Sequence, residues 1–213
     1  MSAPAAPYIP EPGHIAAIHS SVLAPFVVLF DMDKPGSQAS EDSSLGDLGT
    51  GLKFRPCIVM SAAPGEEVTI CIMTTWGGAS LAQLPDVYQH FSIVVNQGAD
   101  DYAGIVVNTT PTWQVKGGRT QYLIPIAYAP CWALHRQWMK EKVPYVATPE
   151  QMDRVDWFRY HLLRIWMDCR DSEPGFVAEE QRKWLVCSSH KRYHANHSDT
   201  KRIERRNMKS NAE

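Results

Sequence analysis

The stretch 53–76, KFRPCIVMSAAPGEEVTICIMTTW, constrains this chain more than any other. Cys57-Ile58-Val59-Met60 is a continuous apolar run, the pattern of a strand buried on both faces. Pro56 cannot donate a ladder hydrogen bond, so it suits the start of a strand, and it holds Arg55 extended. In Ala63-Pro64-Gly65-Glu66, Pro presets the first central angle of a turn and Gly accepts the positive one. Val68, Ile70 and Ile72 then alternate with Thr69, Cys71 and Met73, and Gly77-Gly78 ends the run. The segment reads as a β-hairpin. A two-residue loop at Pro64-Gly65 sets Ser61 opposite Val68, Val59 opposite Ile70 and Cys57 opposite Ile72. Continued outward, that register sets Arg55 opposite Thr74, and directly opposed Cβ atoms stand ~4.5–5.5 Å apart.

Other strands are expected around this hairpin. Gly13 to Phe30 carries Ile15, Ile18, Val22, Val27, Val28 and Leu29 and reads as strand material interrupted at Pro25. Phe91–Asn96 and Ile105–Thr109 flank a Gly/Asp loop, and Gln121–Tyr128 alternates after Gly117-Gly118. Then the period changes. Thr148-Pro149-Glu150-Gln151 is a capping box with Pro at the first helical position. Met152, Val155, Phe158, Leu162, Ile165 and Cys169 follow at helical spacing, up to the breaker Pro174-Gly175. A second, shorter helix is expected over about 177–188.

These elements predict three regions. Residues 1–12 are Ala/Pro-rich and read as a loose arm. Residues 13–188 read as one β-rich domain interrupted by a mobile acidic, Ser/Gly-rich loop at 31–51. Residues 189–213 read as a basic, disordered tail. A chain of 213 residues is long enough for one such domain with a good core.

The net charge of −2 conceals an asymmetry. Residues 190–213 hold seven Lys/Arg against three Asp/Glu, which leaves the remainder at −6. An acidic remainder argues against broad nucleic-acid binding by the domain as a whole, though not against a local site. The cysteines Cys57, Cys71, Cys131, Cys169 and Cys187 are odd in number and scattered, which suits reduced thiols. No signal peptide or membrane-spanning run is visible, so a cytoplasmic or nuclear protein is expected.

Arg55 and Thr74 are the residues on which chemistry is expected. A guanidinium offers a planar fork that matches phosphate, and a neighbouring hydroxyl can donate to a second oxygen or orient a nucleophile. The plain alternative is an Arg that bonds backbone at a strand entry and a Thr that simply favours a strand. Trp76, Trp113 and Trp132 suit either a ligand groove or the core. Cys187, His190, His194 and His197 resemble zinc ligands, but on a helix ten residues span ~15 Å and one ion cannot reach all four. No metal or cofactor is expected. The run Lys201-Arg202-Ile203-Glu204-Arg205-Arg206 suits a nuclear localisation signal, a nucleic-acid patch or a solvated surface.

Gly13-His14-Ile15, Arg55-Pro56-Cys57-Ile58-Val59 and Ile72-Met73-Thr74-Thr75 together resemble the MazF/PemK family of toxin endoribonucleases. The resemblance is centred on residues 13–76. It implies an α+β fold: a small, half-open antiparallel β-barrel with a C-terminal helix over about 149–169 and disordered termini. It implies metal-independent cleavage of single-stranded RNA by the ribose 2′-hydroxyl, with Arg55 stabilising the phosphorane and Thr74 aiding orientation. Thr75 and Trp76, which follow, are the candidate substrate-binding residues. RNA and a second copy of the chain are the implied partners, with no role for a membrane. The alternative is a non-catalytic binding or regulatory module that keeps the barrel.

Overall fold

The computed structural model describes residues 8–31, 53–96, 106–114, 119–130 and 132–184. The segments 1–7 and 32–52 and the tail beyond 184, on which several of these expectations fall, lie outside the described residues.

The fold is mixed α+β. Its strands are β1 (Ile15–Ser20), β2 (Lys53–Ser61), β3 (Thr69–Thr74), β4 (Ile93–Val95), β5 (Val106–Val107), β6 (Gln121–Leu123) and β7 (Arg136–Gln137). They form one sheet in the order β5-β4-β6-β3-β2-β1-β7. A separate hairpin joins β8 (Met139–Lys140) to β9 (Val143–Pro144). The helices are α1 (Ala24–Asp31), α2 (Asp86–His90) and α3 (Pro149–Ser172), and residues 176–184 are also helical.

The hairpin of β2 and β3 forms with Cys57 opposite Ile72 and Val59 opposite Ile70, as the turn chemistry dictates. The register shifts by one near the turn, where Ser61 faces Thr69 rather than Val68. The Ser61 and Thr69 hydroxyls meet there at 2.7 Å, so a side-chain hydrogen bond holds the bulged pair. Cys57, Ile58 and Val59 are wholly buried, because the sheet is covered on both sides. On one side Ala16, Ile18, Cys57, Val59, Ile70 and Ile72 pack with Phe26 of α1, Tyr88 and Trp166. On the other Ile15, Ile58, Cys71, Met73 and Leu123 pack with Val155 and Phe158 of α3.

Four expectations are corrected. First, the sheet is not closed into a barrel. Only isolated bridges of Val146, to His14 before β1 and to Thr110 after β5, link the two ends. Second, the sheet is not purely antiparallel, because β4 and β5 run parallel. The chain between them is too long to force a hairpin, so alternation alone does not fix their direction. Third, residues 24–31 are helical rather than extended. Pro25 sits in the first turn of α1, where a missing N–H is harmless, and the Ser21 hydroxyl accepts from Leu23 N at 3.1 Å just before it. Fourth, Ile165 on α3 is 39% exposed, and Trp166 takes the buried position instead.

Helix α3 starts where the sequence says. Thr148 Oγ1 accepts from Gln151 N at 3.4 Å. The reciprocal half of the box is spent elsewhere, because Gln151 Oε1 accepts from Asn108 N at 2.8 Å and ties the helix to the segment after β5. Among the described residues no helix is long and apolar enough to cross a membrane.

Candidate functional site

Pairing of β1 with β2 sets Ile18 opposite Arg55 and Ser20 opposite Lys53. Residues two apart on a strand share a face, so Lys53 and Arg55 point to the same side. Arg55 is half-buried and Lys53 exposed. Arg55 Nε donates to the Ser20 carbonyl at 3.1 Å. The Ser20 hydroxyl lies 3.0 Å from the Tyr128 hydroxyl, and both residues are buried. Among the described residues no carboxylate pairs with Arg55.

The electrostatics follow from this placement. Burial pushes the Arg55 pKa down to about 10, partly offset by the nearby Tyr128 hydroxyl. The guanidinium therefore stays cationic at neutral pH. The Lys53 pKa is lowered, chiefly by the Arg55 charge and then by burial. Two like charges thus share one side of a strand entry, an arrangement that an anion would relieve.

The β2–β3 ladder ends at Cys57 and Ile72, two residues short of Arg55 and Thr74; on the outer edges of the hairpin Arg55 pairs with Ile18 and Thr74 with Tyr122. Thr74 is 5% exposed, and its Oγ1 accepts from Trp76 N at 3.1 Å. Its hydroxyl thus shapes the turn that ends β3. Trp76 is buried as well. Its Nε1 donates to Ser92 Oγ at 3.0 Å, and its ring stacks on Tyr88 at 4.5 Å. Thr75 is half-buried beside it, and its carbonyl accepts from Gly78 N at 2.7 Å. The structure therefore brings Arg55 together with Lys53, Ser20 and Tyr128, and gives Thr74 and Trp76 to the buried end of β3.

Lys53 was visible in the sequence as the i−2 neighbour of Arg55. Ser20 and Tyr128 were not, because their approach depends on β1 pairing with β2 and on the path of the chain after β6. Trp113 joins the core, with its ring 4.6 Å from Tyr145, whereas Trp132 is half exposed. The Cys187, His190, His194 and His197 group lies outside the described residues.

Comparison with known proteins returned no match: no family model, no curated protein and no solved structure corresponds to this chain.

Proposed function

We propose that this protein is a divergent MazF/PemK-like module that binds the phosphates of single-stranded RNA at Arg55 and Lys53 without cleaving the strand. The observation that carries this is the like-charge pair at the entry of β2, with Arg55 lowering the Lys53 pKa. Arg55 Nε donates to the Ser20 carbonyl, and among the described residues no carboxylate takes the rest of its fork, which suits an oxyanion. The hairpin register supports the scaffold part of the proposal. The placement of Thr74 favours binding over cleavage. A hydroxyl that accepts from the Trp76 amide in a buried turn is poorly placed to orient a ribose.

The experiment is fluorescence anisotropy with labelled single-stranded RNA in chelator, run beside a cleavage gel on the same samples. Wild type should bind, and Arg55→Ala should bind roughly tenfold more weakly or worse, given ~1.5–3 kcal/mol for a charged hydrogen bond. The gel should show intact RNA. Binding that is absent, or unchanged in Arg55→Ala, overturns the proposal. Cleavage in chelator that Arg55→Ala abolishes would replace it with the endoribonuclease.

A further inference from the structure

Phe54, which separates Lys53 from Arg55 along β2, is 59% exposed and joins neither side of the core. It stands opposite His19 of β1. The His19 ring lies 5.4 Å from the Phe54 ring at 50°, and the His135 ring lies 4.8 Å from it at 74°. His135 is held beside β1 by its amide, which donates to the Ala17 carbonyl at 2.9 Å. Three rings from three separate segments thus gather at one spot on the surface. Among the described residues, no hydrogen bond or ion pair engages either imidazole.

We infer that the Phe54 ring, flanked by His19 and His135, is a stacking platform for a nucleobase of the strand whose phosphates Lys53 and Arg55 hold. The inference rests on the phosphate reading of those two cations. It adds the feature that tells a nucleic acid from any other polyanion, because phosphate contacts alone carry no such information. Bases of single strands stack on exposed Phe and His rings, and every base has a π-face to offer. A neutral imidazole presents one donor and one acceptor, which matches the mixed donors and acceptors of a base edge. A purely apolar partner would cover the imidazole nitrogens and leave them unpaired, at a cost, whereas a base edge meets them. Successive residues on a strand point to opposite sides, so Phe54 faces away from Lys53 and Arg55. A strand held by both therefore crosses the start of β2 at Lys53, the exposed first residue of that strand. Lys53 to Arg55 covers ~7 Å of strand, the scale of a single nucleotide.

The test is fluorescence anisotropy on the full chain in chelator with two labelled strands of equal length and charge, an oligoadenylate and an abasic ribose-phosphate strand. Wild type should bind the oligoadenylate roughly tenfold more tightly or better, the worth of one stacked base. Phe54→Leu should erase that preference by weakening the oligoadenylate alone, and Phe54→Trp should restore it. The slope of log affinity against log salt should stay unchanged in Phe54→Leu, because stacking releases no counterions. Arg55→Ala should weaken both strands and flatten that slope by about one. The ring is exposed, and far-UV circular dichroism checks that each variant keeps the fold. Equal affinity of wild type for the two strands, with Arg55→Ala weakening both, overturns this inference and leaves the phosphate reading standing. So does a Phe54→Leu variant that weakens both strands alike or neither. Binding of neither strand, or binding indifferent to Arg55→Ala, overturns the phosphate reading and this inference with it.

Discussion

Lys53 and Arg55 present two cations on one side of β2, and the Arg55 charge holds the Lys53 ammonium below its ordinary pKa. A fold that brings like charges together gives up stability unless something anionic joins them. The cost is small at an exposed side chain, because solvent screens it. Among the described residues no carboxylate joins the pair to offset that cost.

Replacing Lys53 by Gln should therefore stabilise the ligand-free protein slightly, by about 0.3–0.5 kcal/mol in urea unfolding at low salt. The gain should fade in molar salt, where the Debye length is ~3 Å. It should also fade with pH. The folded Lys53 binds its proton less tightly than the unfolded one, so protonation opposes folding below the lowered pKa. That penalty disappears as pH rises from the lowered value toward the ordinary 10.5. A gain that persists at high salt would mean that Lys53 acts through packing rather than charge.

Thr74 should behave as a structural residue. Thr74→Val removes the hydroxyl that accepts from Trp76 N inside a buried turn, and should destabilise the protein by ~1–3 kcal/mol. Thr74→Ser keeps the acceptor and should lose much less. Neither change should alter the affinity for RNA beyond about twofold, which lies within the scatter of sites that touch no ligand. A marked loss of affinity in the stable Thr74→Ser variant would bring Thr74 back to the site.

The glycines of the two turn regions separate sterics from backbone strain. Gly13 and Gly65 both have φ +84°. A Cβ at Gly13 would stand 2.6 Å from the Ala147 carbonyl oxygen, whereas at Gly65 it would meet nothing within 4 Å. Gly65→Ala should therefore cost only the left-handed strain, about 1–2 kcal/mol. Gly13→Ala adds a backbone clash where β1 meets Ala147, and should cost about 3 kcal/mol or more. Equal costs by urea unfolding would show that the backbone at Gly13 shifts freely.

These residues also show what was legible in the sequence. Pro64-Gly65 is a local signal, and it set the register at Cys57–Ile72 correctly. The bulge at Ser61 was missed because it depends on a side-chain contact with Thr69, not on turn type. The helix after Thr148 was legible because cap, proline and period agree there. Residues 24–31 were misread because Val27, Val28 and Leu29 favour a strand by composition, while burial of Phe26, Leu29 and Phe30 rewards a helix. Of the site, Arg55 was legible as a cation before a proline. Its neighbours were not, because Ser20 and Tyr128 reach it through pairings far apart in sequence. The β2–β3 ladder ends at Cys57 and Ile72, so its hydrogen-bonded pairing stops two residues short of Arg55 and Thr74.

The N-terminal end of the described chain offers a test of opposite sign. The Tyr8 hydroxyl lies 3.2 Å from His14 Nδ1, and His14 Nε2 lies 3.4 Å from Glu11. Burial, with smaller contributions from Cys57 and Glu11, raises the Tyr8 pKa to about 12. The folded state thus keeps a phenol proton that the unfolded chain releases above pH 10. Stability should fall as pH rises from the ordinary value of 10.0 toward about 12, because only the unfolded chain ionises freely there. Tyr8→Phe cannot ionise, so it should lack this part of the alkaline loss. At neutral pH the same variant should be less stable by ~0.5–1.5 kcal/mol, the worth of one hydrogen bond. The check is urea unfolding of both proteins at neutral pH and across the alkaline range. Parallel stability curves over pH 10–12 would show that Tyr8 is open to solvent and that His14 and Glu11 do not hold it.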